Sequence, residues 1–500
     1  MSGSKEKMVS AFVWSVILNI VNALYGFVAA PLLIRYFGKA DYGLIGLATS
    51  INGYMALMDM GLNSTNVRFF STWLAKGDYV KVNKLMQTCT AFYSFVGCIN
   101  IVALFVIYIF LDSIFNITPE QGVVFKQILL VLMVMAMVNW YTSCFNQIIS
   151  ATENVAWVQK RMLISKILMI AVLVLTLTLK LSLIQFFIAT QIVTIVIIPF
   201  TIRKIIKLTP FISFIARFDW NTFKEIIPYS LNIFSFGVFQ FSFYNLRVFF
   251  LGMQGSTSDI TEFQIMNSLV GLVTSISSIF IGILLPTASR VVANGDNVNY
   301  YRVAYQGTKY VTVCLCFCSM GMLTICKDLL MVYVGESFMH LVPWLSLWLV
   351  FVLANHNQCI SSLILAGSDV RAISRISMFS SIVGLIICWF SIPTMGAGGP
   401  VVALSVYLII QTLFYWLYYW PKKMKIDTKI VLTQSFVPFA VLGLSIAFLL
   451  RILPHFENLW LNIGVYGVAF SLFYASGSWM LFKQEDRDFV LSVFKRRHGK

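Results

Sequence analysis

FGVFQFSFYNLRVFFLG, residues 236–252, is aromatic and aliphatic almost throughout and carries one full positive charge, Arg247. It continues an apolar run that begins near residue 226, and about 20 such residues cross a hydrocarbon core of roughly 30 Å as a helix. An arginine inside such a run costs from about 2.5 kcal/mol upward, so it is normally paired, wetted or functional. The fold therefore turns on whether the rest of the chain is built the same way.

It is. Of 500 residues, 59% are hydrophobic, 15% aromatic and only 11% charged, and the mean hydropathy is +0.83. These values lie far outside the range of a soluble globular protein and imply a polytopic membrane protein. Cutting at polar breaks gives fourteen apolar spans between residues 9 and 482, with no room for a soluble domain. The basic MSGSKEK start is followed by an apolar segment without a small-residue cleavage site, which reads as a first span and not as a signal peptide. The nine cysteines fall nearly all within apolar runs, and Cys314, Cys316 and Cys318 alternate without a neighbouring His or acid. They read as small apolar filler, with no metal site expected.

The net charge of +16 is topological. With the N-terminus in the cytoplasm, 29 of the 36 basic residues fall on that side, six fall on the other, and Arg247 lies within a span. The positive-inside rule then places both termini in the cytoplasm, and no nucleic-acid partner is implied.

The expected organisation is an N-lobe of six spans (1–200), a cytoplasmic linker (201–225), a C-lobe of six spans (226–420), and two appended spans with a cytoplasmic tail (421–500). The linker is basic and partly amphipathic; an interfacial helix and a plain connection both fit it. Three matches support two repeated lobes. Leu18-Asn-Ile20 leading to Arg35-Tyr-Phe-Gly38 matches Leu231-Asn-Ile233 leading to Arg247 and Gly252. Trp73-Leu-Ala-Lys-Gly-Asp78 matches Val292-Ala-Asn-Gly-Asp296, and Asn146-Gln-Ile-Ile-Ser150 matches Asn357-Gln-Cys-Ile-Ser361. Six spans per lobe start both on the same side, so the repeat is parallel, about an axis along the membrane normal. The fold class is thus all-α integral membrane, with about fourteen transmembrane helices in two six-helix lobes plus two appended helices.

The segment PLLIRYFGKADYGLIGLATSINGYMALMDMGLNSTNVRFF, Pro31 to Phe70, resembles the opening of bacterial polysaccharide exporters of the O-antigen flippase type. The shared features are Arg35-x-x-Gly38, Tyr42-Gly43 and Asp59-x-Gly61. That family belongs to the superfamily of multidrug, oligosaccharidyl-lipid and polysaccharide exporters. The resemblance is strongest over residues 9–85, and the span count and repeat extend it over 1–420. It implies two lobes around a central cavity with alternating access, in the bacterial cytoplasmic membrane. The implied cargo is an isoprenoid-diphosphate-linked oligosaccharide, turned over from the cytoplasmic to the outer face in polysaccharide biosynthesis. Membrane lipids surround it, and a polysaccharide polymerase and other assembly proteins are candidate partners. No GxxxxGK[ST] motif occurs, so energy would come from an ion gradient or from consumption of the product outside. Two alternatives share the architecture: a multidrug/cation antiporter, which needs acids in the cavity, and a peptidoglycan-precursor flippase.

A lipid flippase must supply cations for phosphates and hydroxyl or amide groups for sugars in a medium where unsolvated charge is costly. Arg247 and Arg35 are the candidate anion partners, because the guanidinium fork pairs with phosphate in bidentate fashion. Arg247 sits about 20 residues into its span, which equally allows snorkelling to the outer interface. Amides are plentiful, with Asn19, Asn52, Asn139, Gln240, Asn245, Asn355 and Gln358 among them, and in lipid these bridge helices or face a wet cavity. Asp59 is the acid well inside an apolar run; it either holds the turn Asp59-Met-Gly-Leu-Asn63 or couples transport to an ion. His356 titrates near neutrality, so it serves either proton coupling or a helix contact. Aromatic residues near span ends, Trp140 among them, read first as an interface belt, with stacking on sugars as the alternative. There are no paired carboxylates, ligand spacings or nucleophile triads. Neither an enzyme nor a cofactor is expected.

Overall fold

The computed structural model describes residues 2–293, 296–366, 371–454 and 456–488; the side chains of 2–9, 12, 232, 236, 276–290, 293, 358, 365, 366 and 371 lie outside that description. Among the described residues the chain is helical with no strand. Backbone N–H and C=O groups in hydrocarbon have no water to bond, and a helix satisfies them within one segment. Among the described residues, ten helices are long and apolar enough to cross a membrane, or eleven when the bent pair Trp220–Ser235 and Gly237–Gln254, which meet at 57°, is taken as one span. Large apolar side chains such as Val134, Phe390 and Leu417 are 69–74% exposed. In water such faces would aggregate; they fit a lipid surround.

The chain forms two compact units. Unit 1 comprises Met1–Ile265 and Arg371–Ala403; unit 2 comprises Met266–Val370 and Leu404–Lys500. Residues 226–265 and 371–403, within the C-lobe expected from sequence, are thus grouped with the N-terminal part.

The helices of the first half are α1 (Ser2–Phe37), α2 (Lys39–Met55), α3 (Leu62–Ala75), α4 (Tyr79–Ile109), the single turn α5 (Leu111–Ile114), α6 (Pro119–Tyr141), α7 (Phe145–Ala151), α8 (Val155–Leu179), α9 (Leu183–Leu208), α10 (Trp220–Gln254) and α11 (Thr257–Ala293). Then come α12 (Asn297–Arg302), α13 (Thr308–Val334), α14 (Val342–Val352), α15 (Gln358–Ala366), α16 (Arg371–Met395), α17 (Gly399–Phe414), α18 (Thr428–Ile430), α19 (Val437–Ile452) and α20 (Leu459–Leu481). Starts are set by ordinary caps. Thr118 and Ser182 form capping boxes with Gln121 and Gln185, and Asp78 and Asp219 accept from the first-turn amides of α4 and α10.

In unit 1 a buried core of Phe70, Trp73, Tyr93, Phe145 and Ile148 joins α3, α4 and α7. Of the expected linker 201–225, residues 201–208 continue α9 and residues 220–225 open α10. Residues 209–219 run irregularly along α4, with Ser213 N donating to Asn83 Oδ1 (2.7 Å) and Asp219 N to Thr88 Oγ1 (3.2 Å). The Tyr141 hydroxyl donates to the Phe214 carbonyl (2.6 Å), and Arg217 N to Gln87 O (3.3 Å). These partners satisfy a backbone that Pro210 keeps from extending α9. In unit 2, α13 packs against α14, α19 and α20. Its start is held by a nearly buried ion pair, Lys309 Nζ to Asp486 Oδ2 at 2.7 Å, with the Tyr310 hydroxyl on the other carboxylate oxygen at 3.1 Å.

Candidate functional site

The second apolar run does not form one straight helix. After α2 ends at Met55, residues 56–59 tighten into a 3₁₀ turn, Met60 and Gly61 adopt left-handed backbone (φ 51° and 76°), and α3 starts at Leu62. Asp59 drives the restart: its Oδ2 accepts from the backbone N–H of Asn63 at 3.0 Å, satisfying one of the donors a new helix leaves open. Gly61 is required twice over. Its φ disfavours a side chain, and a Cβ there would lie 2.7 Å from the Ser230 carbonyl oxygen of α10.

The other oxygen of Asp59 accepts from the Tyr93 hydroxyl at 2.6 Å. That hydroxyl accepts in turn from Gln147 Nε2 (3.3 Å), and Gln147 Oε1 accepts from Asn66 Nδ2 (2.8 Å). Asn66, Gln147 and Tyr93 are buried, so this is a directional chain of donors ending on a carboxylate, in a medium that strengthens each member. Gln147 is delivered by a second discontinuity, where α6 stops at Tyr141 and α7 resumes at Phe145. At its edge the Trp140 ring stacks on Tyr93, centroids 5.8 Å apart.

The two discontinuities border a cavity of about 450 Å³. Its wall carries Asn52, Asp59, Asn63, Asn139, Trp140 and Ser143, with Ala56 and Ala136 between them. A carboxylate, three amides and a hydroxyl beside an indole can hold a ligand that both donates and accepts hydrogen bonds.

The other residues singled out from sequence lie elsewhere. Arg247 is 2% exposed. Its guanidinium carbon lies 5.0, 4.8 and 5.4 Å from the ring centroids of Phe243, Tyr244 and Phe263, and Nη1 donates to the Pro400 carbonyl at 3.5 Å. Cation–π contacts and a carbonyl thus surround the charge. Arg35 is exposed in the last turn of α1. Asn245 is half-buried and donates to Phe241 O (2.9 Å), while Ser50 Oγ of α2 donates to Asn245 O (3.1 Å). Gln240 and Asn19 are exposed, Asn355 is half-buried, and the Gln358 side chain lies outside the described residues.

His356 sits in a 3₁₀ interruption between α14 and α15, fully buried, with Nδ1 2.9 Å from Leu353 O and its ring stacked on Phe436 at 4.0 Å. It borders an apolar cavity of about 430 Å³ in unit 2 that Trp416 and Phe436 also line. Among the described residues no group of three His, Cys, Asp or Glu side chains is placed to hold a metal.

The structure therefore brings together Asp59, Asn52, Asn139, Gln147 of the Asn146-Gln motif and Trp140 from the sequence reading, and adds Tyr93, Ser143 and the side chain of Asn63. Trp140 borders the polar cavity. Its signal was the polar company it keeps, Asn139 before it and Ser143 after.

Residues 32–343 match the family model described as polysaccharide biosynthesis protein. No curated protein matches the chain. Among solved structures it is similar to the lipid II flippase MurJ in an inward closed conformation, with TM-score 0.68 and 14% identity over 93% of this chain and 98% of that one. An inward-facing multidrug resistance MATE family transporter of the MOP superfamily gives TM-score 0.61 and 12% identity over 84% and 99% of the two chains. A MOP superfamily transporter from Pyrococcus furiosus gives 0.51 and 14% over 83% and 95%. Identities this low establish the fold alone. The matched model spans more than half of the sequence, and the chain belongs to the polysaccharide biosynthesis protein family, on the fold shared by MurJ and the MATE transporters.

Proposed function

We propose that this protein is a flippase that turns an isoprenoid-diphosphate-linked oligosaccharide over from the cytoplasmic to the outer face of a bacterial cytoplasmic membrane, by alternating access. The observation that carries the reading is the polar cavity of unit 1, within a helical bundle that exposes many large apolar side chains. Such a cavity gives a hydrophilic head group a path through a region that excludes it. Membership of a polysaccharide biosynthesis family supports a glycan as cargo. The distribution of basic residues supports cytoplasmic termini.

Of the two arginines, the exposed Arg35 is the one we assign to the diphosphate; Arg247, enclosed by rings and a carbonyl, we assign to holding α10. The test is depletion of the protein in its own host. The reading expects lipid-linked oligosaccharide to accumulate in the cytoplasmic leaflet and surface glycan to fall. Unchanged surface glycan, with a gain in sensitivity to cationic drugs, would favour an antiporter instead.

A further inference from the structure

Among the described residues, the wall of the cavity beside Asp59 carries no cation. Asn52, Asn63, Asn139, Ser143 and Trp140 surround one carboxylate, so a phosphate would meet like charge there. A pyranose ring has the complementary chemistry: hydroxyls that donate and accept, and a C–H face that packs on an aromatic ring. Its volume of about 450 Å³ falls within the roughly 300–1,000 Å³ of small-ligand pockets.

We infer that this cavity is the glycan-gripping subsite, separate from whatever group meets the diphosphate, and that it takes a neutral sugar of the cargo. The assignment rests on the flippase reading. Trp140 is the platform, backed by the Tyr93 ring at 5.8 Å and an interplanar angle of 27°. Asn52, Asn63, Asn139 and Ser143 supply donors and acceptors. Asp59 uses one lone pair on each oxygen for Tyr93 and Asn63, and about two acceptor positions remain for sugar hydroxyls. The buried chain Asn66–Gln147–Tyr93 holds both Trp140 and Asp59 in place before the ligand arrives, and such preorganisation favours binding. The same carboxylate disfavours a uronic acid.

The experiment uses the full chain in lipid nanodiscs and, as probe, the radiolabelled neutral oligosaccharide released by mild acid from the host's own lipid-linked glycan, measured by equilibrium dialysis. Saturable binding to the wild type is expected, weakened at least tenfold by Trp140→Ala and Asn139→Ala and within about threefold of wild type for Trp140→Phe. Asn52→Ala, at an exposed position, serves if a Trp140 variant does not fold, with a loss of about tenfold.

Equal binding by wild type, Trp140→Ala and Asn52→Ala overturns the subsite. So does absence of binding to a wild type that still turns over the intact lipid-linked glycan, and so does binding of ²²Na⁺ abolished by Asp59→Asn with sugar binding untouched. In each of these cases the flippase reading survives. If the wild type turns over no lipid-linked glycan at all, that reading fails and the subsite fails with it.

Discussion

The Ser230 hydroxyl donates to the Met60 carbonyl oxygen at 2.6 Å, tying the break in the second apolar run to the helix that carries Arg247. Met60 is left-handed, so its carbonyl is outside the regular ladder of either α2 or α3. The contact gives that oxygen a partner away from water. The break is therefore fixed by its neighbour as well as by Asp59.

Gly61→Ala should destabilise the protein by more than the ~1–2 kcal/mol that left-handed backbone alone asks of a side chain, because the new Cβ would also meet Ser230 O at 2.7 Å. Ser230→Ala should cost only about 1 kcal/mol, one hydrogen bond. Thermal unfolding in detergent gives the order; a silent Gly61→Ala contradicts the geometry.

Tyr93 links Asp59 to Gln147, so Tyr93→Phe strands polar groups on both sides. A loss of about 1–3 kcal/mol is expected. Paired with Asp59→Ala, the two effects should fall short of their sum, since the same contact is removed twice. Additive effects would mean that the two groups do not interact.

Arg247 and Arg35 should behave in opposite ways. Arg247→Lys should lower the unfolding temperature, because a point charge loses the planar contacts with Phe243, Tyr244 and Phe263. Arg35→Ala, at an exposed site, should stay within about 0.5 kcal/mol in stability and reduce translocation. Loss of stability at Arg35 with normal translocation would reverse the assignment of the diphosphate partner.

Asp219 offers a pH test outside the membrane spans. The backbone N–H of Thr222, followed by that of Asn221 and by Lys84, holds its carboxyl below the usual carboxylate range. A depressed folded pKa contributes stability that is complete above the unfolded value of about 3.9 and is lost as pH falls through the folded value. Asp219→Asn keeps a cap but not the charge. Its deficit in unfolding temperature should be full above the unfolded carboxylate value and should shrink as pH falls below it; a deficit that persists unchanged in acid would contradict the assignment.

The membrane class was legible because hydropathy and the placement of Lys and Arg are properties of whole segments. The turn at Asp59-Met-Gly61 was legible too, since a carboxylate before a glycine is a local signal. The break at 142–144 was not: Thr-Ser-Cys contains no glycine or proline, and only tertiary contacts decide it. Arg247 shows the same limit. Its spacing marks an unusual charge, but Phe263 and Pro400, which enclose it, come from distant parts of the chain. Residues 201–225 read as an interfacial helix or plain connection by composition; in the structure 201–208 continue α9, and Asn83, Gln87 and Thr88 of α4 bind the backbone of the irregular stretch 209–219. Isolated composition carries no information about that.

The central claim is tested most directly by reconstituting the purified protein into liposomes with a fluorescent isoprenoid-diphosphate-linked oligosaccharide in both leaflets, and measuring how much a membrane-impermeant quencher reaches over time. The account predicts that the quenched fraction passes the outer-leaflet share at a rate set by the protein, slowed by Arg35→Ala. A quenched fraction that stays at the outer-leaflet share, in vesicles where the same preparation is folded and inserted, would contradict it.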